Sequence, residues 1–454
     1  MLRSRKARIG GWGQWPVQNC YLLRPEKYRH LSPGCAGQGK LIARGLGRSY
    51  GDAALNEMGQ VLLTERVNRF LEFDRGQGII RAESGVKLAD LLRVTLPAGW
   101  FPAVVPGTRQ VSLGGCVAAD VHGKNHHRDG SFGDHLLGLE LFTATDRVSC
   151  SPDSEPDLFR ATVGGMGLTG VIGEVTLRLR PVGSGFLLAR HQAAPDLDTL
   201  IRYLAEPAHD DQYTVAWLDC LARGAEMGRG IVISGHHAEP DELPSALRAS
   251  PFSLPAALEL SLPVNLPGWF LNPLAGRAFN EVYFRRQAAR RGSFVIDCGR
   301  FFFPLDALDH WYRLYGRQGF LQYQCVLAGT QAPAGVRRVL ERLQRAGCYS
   351  LLAVLKRLGP GNRNFLSFPR EGYTLALDIP RRALPDLSLL DDLDRITLEH
   401  EGRVYLAKDA CLDPRTFRSM YPDYGRWLQV KRAVDPGNLF SSSLARRLDI
   451  GGAP

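Results

Sequence analysis

The stretch "GGMGLTGVIGEVTLRLRP", residues 164–181, decides how this chain folds. It carries a literal G-x-G-x-x-G in Gly165, Gly167 and Gly170. In a nicotinamide-binding Rossmann domain such glycines follow a strand and open a helix, whose N-terminus faces the pyrophosphate. Here the order is reversed. The preceding "EPDLFRATV" reads as a helix, with an acidic first turn and apolar Leu158, Phe159 and Val163. The following "EVTLRLR" alternates Val175, Leu177 and Leu179 with polar residues, which is the period of a strand. Helix, glycines, strand excludes the nicotinamide fingerprint, so these glycines serve another ligand or a plain turn.

Working outward, the chain has 454 residues, more than one hydrophobic core usually supports, and two domains are expected. The 49 glycines and 28 prolines favour many turns and short strands over a helical bundle. The net charge of +10 permits anionic ligands or an anionic membrane surface without requiring either. Basic residues are dispersed, with no nucleic-acid motif carrying interleaved aromatics, so no nucleic-acid partner is expected. The nine cysteines, Cys20 to Cys411, form no C-x-x-C pair and suit a reducing compartment. The N-terminal "MLRSRKARIGGWGQWP" lacks the apolar run of a signal peptide, and no uninterrupted apolar segment is long enough to span a bilayer. A cytoplasmic location is expected.

From residue 41 to about 180, strand candidates alternate with glycine turns: "GKLIARGLGRSYGD", "QVLLTE", "GIIRAESG", "LLGLELFTATD" and "EVTLRLRP". "KLADLLRVTLPAGW" reads as a helix ending at Pro97 and Gly99. After Pro181 the rhythm changes. Amphipathic helices "DLDTLIRYLAE" and "AGVRRVLERLQRAG" come with strands "FLQYQCVLAG", "SLLAVLKRLG" and "GYTLALDIP", which predicts a second α+β domain. "LSLPVNLPGWFLNPLAG", residues 260–276, is uncharged, holds Trp269 and Phe270, and is kept from being one helix by Pro263, Pro267 and Pro273. The basic "RRQAARRG" at 285–292 follows it. An apolar loop beside a basic cluster suits lipid, a greasy substrate, or core packing under a solvated charged face.

Three glycine-rich stretches fall in the first part: "ARGLGRSYGD" (43–52), "PGTRQVSLGGCVAADVHGKNHH" (106–127) and "GGMGLTGVIG" (164–173). Backbone N–H groups in tight glycine turns converge on phosphates, and Arg44 and Arg48 would add charge. Together with "VDPGNLF" near the C-terminus, these motifs resemble flavoproteins of the vanillyl-alcohol-oxidase superfamily, and within it the decaprenylphosphoryl-ribose 2'-oxidases. The likeness runs in order along nearly the whole chain, including "LQYQCVL", "LLAVLKRLG", "FLSFP" and "VYLAKD".

The resemblance implies a PCMH-type FAD-binding domain of two α+β subdomains at 1–184. It further implies a substrate domain with an antiparallel sheet at 185–401, and a segment at 402–454 that returns to the FAD domain. It assigns FAD to the first loop through Ala43, Arg44, Gly45, Leu46, Gly47 and Arg48, with Ser49, Tyr50, Gly51, Asp52 and Ala53. The second loop adds Gly107, Ser112, Leu113, Gly114 and Gly115, then Ala119, Asp120, Val121 and His122. Ile172 and Tyr405 complete that set. Relatives that tether the flavin use a histidine where this chain has Arg48 before Ser49, so non-covalent FAD is expected.

Oxidising a secondary alcohol needs a hydride acceptor, a group for the hydroxyl proton and positive charge. The resemblance points to Lys408, His122 and Tyr50 as catalytic and to Gln322, Gln324, Lys356 and Lys124 for the substrate. Gln322 and Gln324 are two apart on a strand and share a face. His122 and His126 have the i, i+4 spacing of a helical zinc pair, but Gly123 weakens a helix and no third ligand is evident, so no metal is expected. Mycobacterial members carry a cysteine, the target of covalent inhibitors, where this chain has Ala376. The implied reaction converts a polyprenylphosphoryl-ribose to its 2'-keto sugar. A separate NAD(P)H-dependent short-chain reductase would then complete epimerisation to the arabinose donor for cell-envelope synthesis. Peripheral membrane contact is a further expectation. The alternative is an aldonolactone or alditol oxidase of the D-arabinono-1,4-lactone oxidase type.

Overall fold

Alternating apolar residues and glycine breaks resolve into three large sheets. The computed structural model describes residues 2–37, 39–206, 211–254, 260–268 and 271–451. The first sheet runs in the order Ser4–Gly10, Val17–Leu23, Gln60–Leu63, Leu41–Arg44. Its first pair is antiparallel and the other two are parallel. The second sheet is antiparallel and orders Phe70–Asp74, Ile79–Glu83, Val171–Pro181, Leu136–Phe142 and Arg147–Cys150, with Trp100–Pro102 on the end of Val171–Pro181. The third has eight antiparallel strands: Ser293–Asp297, Phe186–Ala194, Gly230–His237, Tyr213–Leu218, Leu352–Leu358, Gly372–Pro380, Phe320–Ala328 and Arg403–Val404. The architecture is α+β.

The opening stretch folds in the order its pattern requires. The helix Pro156–Thr162 stops at a turn where Gly164 and Gly167 take φ of 78° and 76°, and the strand Val171–Pro181 follows. Glycine, lacking a Cβ, adopts that left-handed backbone with the least strain. Leu88–Thr95 is helical and closes through a 3₁₀ turn on Gly99 at φ 81°. The helices Leu197–Ala205 and Ala332–Arg345 bury one apolar face each in the same core as the third sheet. "GKLIARGLGRSYGD" is strand only over Leu41–Arg44. Beyond it the chain leaves the sheet as a loop, with Gly47 at φ 64°.

The uncharged 260–276 segment divides as its prolines demand. Leu260–Ser261 pairs in parallel with Leu308–Asp309. A new helix, Pro273–Ala288, starts on Pro273, with the Asn272 side chain accepting from the N–H groups of Leu274 and Ala275. Trp269 and Phe270 lie outside the described residues. Among the described residues no helix is long and apolar enough to cross a membrane.

Candidate active site

All three glycine loops and one face of the third sheet converge on a single cavity of about 330 Å³. The sheet face follows from register. Gln322 pairs with Asp378 and Gln324 with Ala376 across one strand boundary. Asp378 in turn pairs with Leu352, Ala376 with Val354, and Thr374 with Lys356. Residues in register share a side of the sheet, so a grid of amides, a carboxyl and an ammonium faces one way.

The first loop lies against the C-terminal segment. Tyr50 N–H donates to the Ala407 carbonyl at 3.0 Å. A Cβ on Gly51 would sit 1.7 Å from the Asp409 carbonyl oxygen, so only glycine permits this approach. Asp52 is buried and accepts from Arg447 at 2.8 and 3.1 Å, and Arg447 also holds Asp409 at 2.8 Å. Tyr405 donates its hydroxyl to the Ala119 carbonyl at 2.7 Å, tying this segment to the second loop.

Of the cofactor positions expected from sequence, most line the cavity: Ala43 to Tyr50 without a break, Ala53, Gly107, Ser112, Gly114, Gly115, Ala119, Val121, His122, Ile172 and Tyr405. Gly51, Asp52, Leu113 and Asp120 stand behind the wall. Leu113 is a core residue. The Asp120 carboxylate points into the protein, where it accepts from Ser131 Oγ at 2.6 Å, Gly133 N at 2.8 Å, Asn362 Nδ2 at 2.8 Å and Ser367 Oγ at 2.5 Å. The two loop arginines separate. Arg44 donates to the Gly10 and Ala54 carbonyls at 2.8 and 3.2 Å. Arg48 lies on the Trp12 ring at 3.8 Å, and its buried Nε has no hydrogen-bond partner among the described residues.

Tyr50, His122, Gln322, Gln324, Lys356 and Lys408 all line the cavity. Lys124 does not. Its ammonium donates to the Phe301 carbonyl and sits 4.4 Å over the Phe301 ring. The Lys408 Nζ lies 3.8 Å over the Tyr50 ring. Burial pulls the Lys408 pKa down to about 7, opposed by the Asp378 charge and reinforced by Lys356. Burial likewise pushes the Asp378 carboxyl up to about 7. Its Oδ1 accepts from Gln322, and its buried Oδ2 has no hydrogen-bond partner among the described residues. Asp378 escapes notice in the sequence, where its signal is one acid at the end of the apolar run "LALDIP".

His122 is held neutral, well below its ordinary range, by burial and by the charges of Lys356, His126 and Lys408. Its Nε2 accepts from the Gln324 amide nitrogen at 3.0 Å, which leaves the proton on a buried Nδ1 that has no partner among the described residues. His126 opens a separate short helix and its Nδ1 accepts from Gly359 N–H at 3.2 Å, so the two histidines do not share a helix.

Burial alone lowers Lys356 to about 8. A base whose folded pKa is depressed weakens the fold while charged, and the penalty is relieved as pH climbs through that pKa toward the unfolded value. In the apoprotein, Lys356→Met should therefore raise Tm at pH 7. Its advantage over the parent should shrink by ~1.4 kcal/mol per pH unit between pH 8 and pH 10. Scanning calorimetry of both proteins checks this; a pH-independent difference contradicts it.

The cavity suits a flavin dinucleotide. Arg48 Nε, Ser84 Oγ and His122 Nδ1 are buried polar atoms without partners among the described residues, and all three residues line it. A Cβ on Gly107 would meet nothing within 4 Å, and one on Gly167 would meet only Ile42 at 3.6 Å, so both backbones border open space. Exposed main-chain amides with a desolvated guanidinium form a surface suited to a diphosphate.

Comparison with known proteins agrees. An FAD-binding-domain model matches residues 35–151, and a D-arabinono-1,4-lactone oxidase model matches residues 371–448. The chain is 38% identical to the decaprenylphosphoryl-beta-D-ribose oxidase of Mycolicibacterium smegmatis, over 98% of this chain and 97% of that one. It is 39% identical to an uncharacterized protein in the mprA 5' region of Streptomyces coelicolor, over 80% of this chain and all of that one. The L-gulono-1,4-lactone dehydrogenase of Mycobacterium tuberculosis is 22% identical over 96% of this chain and 98% of its own. A likeness of 38% that spans almost the full chain, on a fold whose glycine loops enclose one cavity, settles the relationship. This chain is an FAD-dependent oxidoreductase and belongs to the decaprenylphosphoryl-ribose oxidase family.

Proposed function

We propose that this enzyme oxidises the 2'-hydroxyl of a polyprenylphosphoryl-ribose to the 2'-keto sugar. What carries the reading is the grid of Gln322, Gln324, Lys356 and Lys408 facing the cavity, in a chain aligned end to end with a decaprenylphosphoryl-ribose oxidase. A separate NAD(P)H-dependent short-chain reductase would reduce the keto sugar to the arabinose epimer, a donor for cell-envelope synthesis. The working domain division is 1–184 for FAD, 185–401 for substrate and 402–454 returning to the FAD side. The Arg447 bonds to Asp52 and Asp409 support that return.

Bound FAD supplies the hydride acceptor. The protein does the rest. Gln322 and Gln324 present neighbouring amides to sugar hydroxyls. A lysine that can lose its proton near neutrality can accept one, so Lys408 Nζ takes the proton of the reacting hydroxyl. The ammonium formed keeps positive charge in the cavity as the hydride departs. Lys356, whose lowered pKa has no cause but burial, offers a cation to the substrate phosphate. Neutral His122 orients Gln324. The Tyr50 phenol, pushed well above its ordinary range by burial, stays protonated under Lys408.

We propose that the flavin is not tethered. Cys116, a thiol on the cavity wall, is pushed up to about 12 by burial and is a poor nucleophile at neutral pH. The purified protein should show flavin absorption, and acid precipitation should send the yellow colour to the supernatant. Colour retained in the pellet overturns the non-covalent assignment. The D-arabinono-1,4-lactone oxidase match over 371–448 favours a second reading, oxidation of a soluble sugar lactone. Assays with polyprenylphosphoryl ribose and with aldonolactones separate the two, and turnover of the lactone alone sinks the first.

A further inference from the structure

The most exposed large apolar side chains are not scattered. Among the described residues the five highest are Leu274 (76%), Val282 (67%), Phe279 (64%), Val264 (63%) and Leu260 (57%), all within 23 residues of chain. The helix Pro273–Ala288 carries three of the five, Leu274, Phe279 and Val282. Its inner side rests on the substrate domain. Asn280 donates to Asp219 Oδ1 at 2.6 Å, Tyr283 meets Trp217 edge-on at 4.7 Å, and a Cβ on Gly276 would press on Leu221 and Leu351. Its outer side carries Leu274, Ala278 and Val282 on one i, i+4 row, with Ala275 and Phe279 on the next. Among the described residues no element covers that face, and these side chains stay exposed.

The charge along this stretch is predominantly positive. Residues 260–291 hold five arginines, Arg277, Arg285, Arg286, Arg290 and Arg291, against the single acid Glu281. Glu281 is already engaged by Arg229 at 2.7 Å and by Arg285 at 2.5 Å. A second copy of this chain would bring like charge to like charge. An anionic surface complements it, and exposed apolar side chains flanked by arginines are the composition of an interfacial helix.

The root of this surface adjoins the cavity. Leu260–Ser261 pairs with Leu308–Asp309, and Leu266 N–H donates to the Arg313 carbonyl at 2.9 Å. Leu271, at the foot of the helix, packs in one apolar cluster with Tyr50, Trp311 and Leu305, all of which line the cavity. We propose that the exposed apolar side chains of Leu260, Val264, Leu274, Phe279 and Val282, with the arginines around them, dock on an anionic lipid bilayer, so that a lipid-linked substrate reaches the cavity along the Leu271–Trp311 side without its tail crossing water. The docking half stands on exposure and charge; the delivery half rests on the polyprenyl substrate proposed above.

Sedimentation of the holoenzyme with phosphatidylglycerol–phosphatidylcholine vesicles, and with phosphatidylcholine alone, tests it. Binding to the anionic vesicles is expected to weaken as salt rises and to fall ~10-fold or more in Phe279→Ser/Val282→Ser and in Arg286→Glu/Arg290→Glu. Flavin content and turnover of detergent-dispersed substrate should be unchanged in both variants, which excludes misfolding. Absence of vesicle binding by the parent overturns the proposal. So does binding that both variants retain, or a concentration-dependent self-association that the Phe279→Ser/Val282→Ser variant abolishes while vesicles are ignored. If docking behaves as expected yet polyprenylphosphoryl ribose is not oxidised, the substrate reading fails and the docking surface remains.

Discussion

Replacing Lys408 with methionine is expected to lower kcat by ~10³-fold while the flavin spectrum of the purified protein persists. Methionine keeps the volume against the Tyr50 ring and removes the one amine that is both buried beside Tyr50 and opposed to a carboxyl. A loss confined to KM would place Lys408 in substrate binding alone. Asp378 supplies an independent handle. Its charge raises the Lys408 pKa against the burial that lowers it. Asp378→Asn should let the Lys408 pKa fall further, so the limb of kcat/KM that rises with pH as the amine loses its proton moves to lower pH. An unshifted limb would remove Lys408 from the role of base.

Asp120→Ala should cost ~3–5 kcal/mol of stability and loosen the cofactor site with it. The carboxylate is fully buried and accepts from Ser131, Gly133, Asn362 and Ser367, so its removal takes an acceptor from all four and leaves Asp134 to Ser131 and Ser131 to Asn362 as remaining acceptors. Its backbone is left-handed at φ 38°, a conformation that suits an Asx residue better than alanine. The chain on either side forms the cavity wall, with Ala119 holding Tyr405 and His122 holding Gln324. A fall in Tm together with a raised Kd for FAD is the expected pair of results. A stable variant with unchanged FAD affinity contradicts the role given to Asp120.

Much of the architecture is legible in residue order because it depends on local periodicity. Helix, glycine turn and strand at 156–181 follow from spacing alone, as does the shared face of Gln322 and Gln324. What is not legible depends on register and on which way a side chain turns. Asp378 stands 56 residues from Gln322, and only the antiparallel pairing of their strands brings them side by side. Lys124 is two residues from His122, yet its ammonium turns to the Phe301 carbonyl instead of the cavity. Asp52 and Asp120 sit inside motifs that line the site, and each carboxylate faces the protein because donors from distant segments are there. A glycine motif specifies a backbone path; it does not specify the hydrogen bonds that hold that path from behind.

The clasp of Arg447 on Asp52 and Asp409 carries a consequence for biogenesis. Residues 43–53 emerge from the ribosome early, but the partners that fix them are nearly 400 residues downstream. The parallel bridge from Leu41 to Phe440 has the same span. A nascent chain shorter than this cannot close its own dinucleotide loop with these bonds. Until then the unfinished strand edge at Leu41 is open to wrong partners and to chaperones alike.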